Sequence, residues 1–276
     1  KVTLITGYKG IGKSTLISHL LHFYFDRKNY NKETYKFDNK SVFHNQFKSN
    51  LFSNIIYLNG SNFKDNKIED LRSLKNNLSK PSINFDKRFI IFDDVEVFKD
   101  NSLNALLKII EEPYKKDFFI LINNKSKPIL ETIKSRCIEF KIKLDRNNKN
   151  KVIESLISSF NQKLSIETNL IDTTPGNFLR YNHIINEKKI DIQMDFLINL
   201  QKILDIYKKE KNIFFKEFLI FLTEYYLIKN TLNKTVHSEK FIENRSFIVK
   251  NINDFFLYNL NQNTLLNILE RKFIND

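Results

Sequence analysis

The sequence predicts an α/β fold with a doubly wound parallel sheet, followed by an all-helical C-terminal part. A β-branched stretch at residues 2–6 runs into a glycine-rich loop and then into apolar residues at helical spacing. Two more apolar stretches, residues 89–92 and 118–122, each end in polar residues, as buried parallel strands do where a sheet binds ligands. From about residue 190, apolar residues recur at helical spacing to the end of the chain.

Composition and length limit the class of protein. The chain has 276 residues, enough for about two domains, and is 41% hydrophobic and 28% charged, as in ordinary globular proteins. Its apolar runs are far shorter than the roughly 18 residues that suggest a membrane span. A single cysteine, Cys137, excludes an internal disulfide and a multi-cysteine zinc site. We therefore expect a cytoplasmic protein without zinc or membrane contact, and polypeptide upstream of Lys1, which lies on the first strand itself.

The net charge of +13 is compatible with a nucleic-acid partner. However, Lys, Asn, Ile and Phe are all abundant, which an AT-rich coding sequence gives whatever the function. A nucleic-acid-binding module acting alone is therefore a weak alternative. Residues 26–50 interleave basic and aromatic side chains. A strip that tracks single-stranded nucleic acid is one interpretation, and a solvated loop is the favoured one.

Residues 7–14, GYKGIGKS, predict a phosphate-binding loop between the first strand and the first helix. We expect Gly7 and Gly12 to take backbone angles that a Cβ would forbid, so that consecutive N–H groups surround a phosphate. Lys13 then contacts the β- and γ-phosphates, and the Ser14 hydroxyl binds Mg²⁺. The helix begins at the loop, so its positive end faces the phosphate. The predicted nucleotide-binding residues are Gly7, Gly10, Gly12, Lys13, Ser14, Thr15 and Asp93.

Polar residues at the ends of the next two buried strands complete the predicted site. Asp93 follows residues 89–92 and is expected to bind Mg²⁺ together with Ser14. Asp94 stands where many ATPases of this kind have a glutamate that orients the attacking water. It is one methylene shorter, so we expect slow hydrolysis. Asn124 follows residues 118–122, where its amide can face a γ-phosphate or the attacking water, or simply belong to a polar turn.

Other elements follow from apolar spacing. We expect helices over residues 68–78 and 101–112, the second closed by Pro113, and a short helix after Pro128. Residues 138–142 alternate like a last strand.

Several of these segments together resemble the AAA+ subunits of sliding-clamp loaders, and among them the delta-prime subunits of bacterial DNA polymerase III. The resemblance covers residues 1–143 well and the remainder in architecture only. The segments that carry it are Phe92-Asp93-Asp94, Asn104-Ala105-Leu106-Leu107-Lys108, Glu111-Glu112-Pro113, Asn123-Asn124 and Thr132-Ile133-Lys134-Ser135-Arg136-Cys137. It implies an α/β P-loop (AAA+) domain, ATP and Mg²⁺ as cofactors, Asn124 as the first nucleotide sensor, and Arg136 as an arginine finger directed at a neighbouring subunit.

The resemblance also implies domains and partners. We expect the AAA+ domain at residues 1–143, a helical lid at 144–186 and an all-helical collar at 187–276. The partners would be delta-type and gamma/tau-type loader subunits, the sliding clamp and primed DNA. Lid helices are expected at residues 151–160, near 167–171, and after Pro175. In the collar, the apolar stripes at 196–207 and 214–225 are either core or partner surface.

Three departures from the family pattern matter. The phosphate-binding loop is intact, whereas many delta-prime subunits have a damaged one. The four-cysteine zinc module that several relatives carry after the first helix is replaced by cysteine-free residues 26–50. The lid arginine that senses nucleotide in motor subunits falls at Gly176, one turn before Arg180. The alternatives are a gamma/tau-like motor subunit and, less favoured, a P-loop kinase.

Overall fold

A computed structural model describes residues 2–60, 78, 87–111, 116–212, 214–233 and 238–274. The predicted helix over residues 68–78 lies outside these residues, apart from Leu78, and so does Pro113. The chain divides into two compact units, Lys1–Asp145 and Arg146–Asp276.

The N-terminal unit is built on a five-stranded sheet in which every described pairing is parallel. Its strands are β1 (Val2–Thr6), β4 (Ile55–Asn59), β5 (Arg88–Asp93), β6 (Asp117–Asn123) and β7 (Ile138–Lys141), in the order β4-β5-β6-β1-β7. Between β1 and β4 lie α1 (Lys13–Phe25), a short hairpin of β2 (Tyr30–Asn31) and β3 (Lys36–Phe37), and α2 (Val42–Lys48). Helix α3 (Asp100–Glu111) precedes β6, and the short helix α4 (Glu131–Lys134) precedes β7.

Alternate residues of the central strands pack on opposite faces of the sheet, each under its own helices. On one face, Ile91 and Ile122 pack with Ile17 and Leu21 of α1. On the other face, a second cluster forms around α3. It contains Leu4, Ile90, Phe92, Leu121, Leu106 and Ile133. Helices on both faces of a parallel sheet confirm the predicted doubly wound fold.

Residues 27–48 form a small folded module against α1, so the expectation of a solvated loop is wrong. The His22 ring is fully buried and stacks on Phe37 at 3.8 Å between ring centroids. Its Nδ1 lies 2.7 Å from the Ser18 carbonyl oxygen, and its Nε2 lies 3.1 Å from Nδ1 of His44 on α2. Phe43 is also buried against this ring. The aromatic residues, apart from Tyr35, therefore hold the module together rather than line a surface.

A buried ion pair joins β5 and β6 at the ends remote from their polar carboxyl termini. Arg88 donates from Nε and Nη2 to the two carboxylate oxygens of Asp117, both at 2.9 Å, and from Nη2 to the Leu78 carbonyl at 2.9 Å. Both side chains are at most 8% exposed.

Strand β7 lies at one edge of the sheet and is exposed along its whole length. Ile138 and Phe140 are 63% and 54% exposed. They pair with Thr3 and Ile5 of β1, so they lie on the same face of the sheet as Ile5, which packs in one cluster with residues of α1.

The described part of the C-terminal unit is helical. Its helices are α5 (Arg146–Ser159), α6 (Pro175–Glu187), α7 (Phe196–Glu210), α8 (Phe214–Asn233), α9 (Ser238–Tyr258) and α10 (Gln262–Ile274). The prediction of a helix near residues 167–171 is wrong, because the chain forms a turn there. The segment is shorter than two helical turns, too short to stabilise a helix.

One hydrophobic core runs through this unit. The two apolar stripes left open in the sequence supply much of it, and Leu200, Phe218, Leu222 and Tyr225 are at most 1% exposed. They are core residues rather than a partner surface. Residues from the expected lid, such as Phe178, belong to the same core, and the division into lid and collar stays a prediction.

Candidate nucleotide-binding site

The glycine-rich loop connects β1 to α1, as predicted, but its glycines serve different purposes. Gly10 and Gly12 have φ angles of 81° and 103°, in the region that favours glycine. Gly7 does not, contrary to expectation. It is required because a Cβ at this position would lie 2.9 Å from the Ile142 carbonyl oxygen.

Helix α1 begins without a side-chain cap, so its first N–H groups are directed at the loop. Among the first four N–H groups of α1, that of Leu16 donates to the Gly12 carbonyl at 2.9 Å, and no backbone acceptor for the other three lies in the described part of the chain. Ser14 and Thr15 are exposed there. Donors and a positive helix end at one place are what a phosphate group requires.

The Lys13 ammonium is buried in the loop. Its Nζ donates to the carbonyl oxygens of Gly7 at 2.6 Å and Tyr8 at 2.9 Å. Burial lowers the pKa of Lys13 to about 8, partly offset by Asp93, Glu96 and Asp94. A phosphate brought into the loop would replace these neutral carbonyl acceptors with charged oxygens.

Asp93 ends β5 and is almost fully buried. Its Oδ2 accepts a hydrogen bond from the Tyr57 hydroxyl on β4, which the sequence gave no reason to expect. Burial and this contact both raise the pKa of Tyr57, so the hydroxyl keeps its proton. Tyr57 therefore fixes the orientation of the carboxylate predicted to bind Mg²⁺.

The structure brings Asp93, Asp94 and Asn124 together. The Asn124 side-chain amide donates to Asp94 Oδ1 at 2.5 Å and lies 3.4 Å from Asp93 Oδ1. Asp94 has a left-handed backbone, with φ of 52°. Strands β5 and β6 are neighbours, which explains why residues 30 positions apart meet at one edge of the sheet.

Glu96 is a further site residue that the sequence analysis missed. It is 5% exposed, and its Oε1 accepts from the N–H groups of Asn124 at 3.0 Å and Ser126 at 3.2 Å, and from the Ser126 hydroxyl at 2.9 Å. Its Oε2 is buried and has no hydrogen-bond partner among the described residues. An acid two residues after Asp94 was the only signal for it, and such acids are usually exposed.

Arg136 does not join this group. Its side chain is 40% exposed and bonds to Glu111 through Nε at 2.9 Å and to the Thr132 carbonyl through Nη1 at 2.9 Å. The neighbouring Cys137 packs against the core, and burial raises the pKa of its thiol to about 11, so it is a structural residue.

Arg180, one turn after Gly176, packs on an aromatic ring. Gly176 lies in the first turn of α6, and the guanidinium carbon of Arg180 lies 3.9 Å from the centroid of the Phe214 ring. Such a contact is a cation–π interaction.

Among the described residues, no cluster of three or more His, Cys, Asp or Glu side chains is suited to hold a metal ion. The predicted pairing of Ser14 with Asp93 on Mg²⁺ stays a prediction. In the same residues, no helix is both long and apolar enough to cross a membrane.

Residues 1–146 match the family described as DNA polymerase III, delta subunit. The chain belongs to this family. It is 30% identical over 163 residues to DNA polymerase III subunit delta' of Buchnera aphidicola subsp. Schizaphis graminum, covering 53% of this chain and 47% of that relative. It is 26% identical over 141 residues to DNA polymerase III subunit gamma of Buchnera aphidicola subsp. Acyrthosiphon pisum, covering 51% and 38%. Family membership confirms the resemblance that the motifs indicated.

The chain spans about half or less of the length of these curated relatives. A DNA polymerase III gamma subunit-related protein from Thermotoga maritima has a similar fold, with a TM-score of 0.51 and 17% identity over 98% of this chain and 94% of that one. This likeness supports the P-loop (AAA+) fold with a helical C-terminal part.

Proposed function

We propose that the chain is a delta-prime-type clamp-loader subunit that supplies Arg136 to ATP bound by a neighbouring subunit. The observation that carries this proposal is the position of Arg136. Its guanidinium is exposed and bonds to Glu111, Thr132 and Ser135, while Asp93, Asp94 and Asn124 form a separate cluster. A guanidinium supplied by another chain stabilises the charge that develops during phosphoryl transfer, and so links hydrolysis to assembly.

In its own site, the chain would hold ATP with little turnover. Lys13 would exchange the Gly7 and Tyr8 carbonyls for phosphate oxygens, and the uncapped N–H groups of α1 would donate to them. Magnesium, when bound, neutralises charge on the β- and γ-phosphates. Ser14 and Asp93 would hold it. Asp94 is tied to Asn124 and is one methylene shorter than glutamate, which supports slow hydrolysis.

The partners in this proposal are delta-type and gamma/tau-type subunits in a hetero-oligomeric ring, the sliding clamp and primed DNA. The chain would close one end of the ring and act in the cytoplasm. In this proposal the chain does not itself polymerise DNA, and its contribution to clamp loading is mechanical and allosteric.

The test is an Arg136→Ala variant of the full-length protein in a reconstituted loader. We expect DNA- and clamp-stimulated ATP turnover to fall clearly, because a finger is worth about 10³–10⁵ at the site it serves, diluted by the other sites. Arg146→Ala is the matched control, since Arg146 is also exposed and bonds to a carbonyl, that of Asn169. An unchanged rate with intact assembly would remove the finger role.

A gamma/tau-like motor subunit is the second candidate, favoured by the intact loop and by the similarity to gamma subunits. It predicts ATP turnover by the chain's own site. A loader in which only this subunit carries Lys13→Ala separates the two roles: the motor role requires a loss of turnover, whereas the delta-prime role requires little change.

A further inference from the structure

Arg136 is anchored at two of the three nitrogens of its guanidinium. Nε donates to Glu111 Oε1 at 2.9 Å, and Nη1 donates to the Thr132 carbonyl at 2.9 Å, with Ser135 Oγ at 3.4 Å. Within the described part of the chain, Nη2 makes no hydrogen bond. A planar guanidinium held at Nε and Nη1 therefore keeps both N–H donors of Nη2 available to an anion.

Glu111 stands where helix electrostatics disfavour an acid. Pro113 follows two positions later and cannot continue helical hydrogen bonding, so Glu111 belongs to the last turn of α3. The carboxyl end of a helix is negative and favours cations. Both side chains of the pair are 40–45% exposed, so their attraction adds little to stability. Neither local preference nor fold stability accounts for this residue.

The elements that carry the pair are rigidly packed. Ile110, next to Glu111, is 3% exposed, and Ile133, three residues before Arg136, is fully buried in the same cluster. Glu111 therefore gives the long Arg136 side chain a fixed point of attachment from a second helix. Without it, the contacts that restrain the guanidinium among the described residues all lie within the 132–136 segment.

We propose that Glu111 is a positioning residue for Arg136. It fixes Nε so that the free N–H donors of Nη2 face the terminal phosphate of ATP on the neighbouring subunit. This inference rests on the proposed function, because it assumes that Arg136 acts on that nucleotide.

The test uses Glu111→Ala in the full-length protein, reconstituted with its loader partners, with Arg136→Ala and the double variant alongside. A displacement of about 1 Å can cost roughly 10²-fold in rate, so losing one anchor should lower stimulated kcat roughly tenfold at the served site. KM for ATP and unfolding midpoint should not change. Glu111→Gln should retain part of the rate, because its amide oxygen still accepts from Nε. Glu131→Ala is the control, since Glu131 is an exposed acid paired with Lys134 on the same surface segment.

The outcomes separate the two proposals. If Glu111→Ala lowers kcat but has no further effect in the Arg136→Ala background, Glu111 acts through Arg136. If Arg136→Ala lowers turnover while Glu111→Ala equals wild type, or the two losses multiply, the positioning role is wrong and the finger role stands. If Arg136→Ala itself has no effect, the proposed function fails.

Discussion

The carboxylate of Glu96 accepts the backbone N–H of Asn124 at 3.0 Å, which fixes the loop after β6 to the segment after β5. Ser126 donates twice to the same oxygen, at 2.9 and 3.2 Å. The backbone of Asn124, the predicted nucleotide sensor, is therefore fixed by a buried acid, while its side-chain amide donates to Asp94.

Removing this carboxylate should weaken the whole loop. Glu96→Ala leaves the N–H donors of the half-buried Asn124 and the exposed Ser126 without this acceptor, so we expect the free energy of unfolding to fall by about 1–3 kcal/mol. Denaturant unfolding measures it. Glu154→Ala, at an exposed position of α5, should change it by no more than about 0.5 kcal/mol. A loss at Glu96 no larger than that of the control would contradict the role of this anchor.

Nucleotide affinity should depend on the charge of Lys13. Since burial places its pKa at about 8, the amine loses its proton as pH rises above that value, and phosphate binding then loses its point charge. We expect the affinity for MgATP to fall by up to about tenfold per pH unit between pH 8 and the ordinary lysine pKa. Equilibrium titrations with a fluorescent ATP analogue from pH 7 to 9.5 measure this slope. In Lys13→Arg the guanidinium stays charged, so the slope should disappear even if binding is weaker. A wild-type affinity constant to pH 9.5 would rule out the lowered pKa.

The module next to α1 should lose stability in mild acid. Burial lowers the pKa of His22, and the nearby His44 lowers it further. The Ser18 carbonyl and Asp26 act in the opposite direction and raise it. The unfolded chain therefore binds a proton before the folded chain does. Stability should be complete above about pH 6.5 and fall by up to about 1.4 kcal/mol per pH unit below it.

Urea unfolding at pH 5.5 and 7.5 tests the contribution of His22. His22→Phe removes the titrating group, so the difference between the two pH values should shrink, whatever the variant's baseline stability. His183→Gln, at an exposed position, should keep the wild-type difference. An equal difference in wild type and His22→Phe would assign the acid sensitivity to other groups.

The buried pair at the other end of the sheet should be strongly coupled. Arg88→Ala leaves Asp117 charged, 2% exposed and without its bidentate partner, which should cost about 3–5 kcal/mol of stability. The double variant Arg88→Met with Asp117→Leu should cost much less, because no uncompensated charge remains. Lys272→Ala, which breaks an exposed pair with Glu243, should cost less than about 1 kcal/mol. A double variant as unstable as the single one would show that the pair matters for more than charge balance.

The sequence predicted those features that depend on local pattern. The loop before Lys13, the apolar strand before Asp93 and the strand before Asn124 each carry their own signal over a few residues. Their meeting at one edge follows from parallel strands ending together. Arg136 was found through a motif rather than through physical chemistry, and its role as a finger stays a prediction.

The missed features depend on contacts between distant residues. In the sequence, Tyr57 has the pattern of an ordinary strand residue. Its hydroxyl reaches Asp93 because β4 pairs with β5. His22 and His44 lie 22 residues apart on different helices, so no regular spacing in the sequence predicts their contact. The error at Gly7 has the same origin, because its constraint comes from the backbone of Ile142 after β7.

The exposed edge strand has a practical consequence for handling the protein. Among the described residues, β7 pairs on one side only, with β1, and its side chains Ile138 and Phe140 are exposed to solvent. Open strand edges with apolar side chains recruit further strands from other molecules. The excess positive charges of the chain, +13 in all, oppose such association by repulsion. Preparations of the isolated chain should therefore precipitate more readily as salt screens those charges, and stay in solution best when dilute and at low ionic strength.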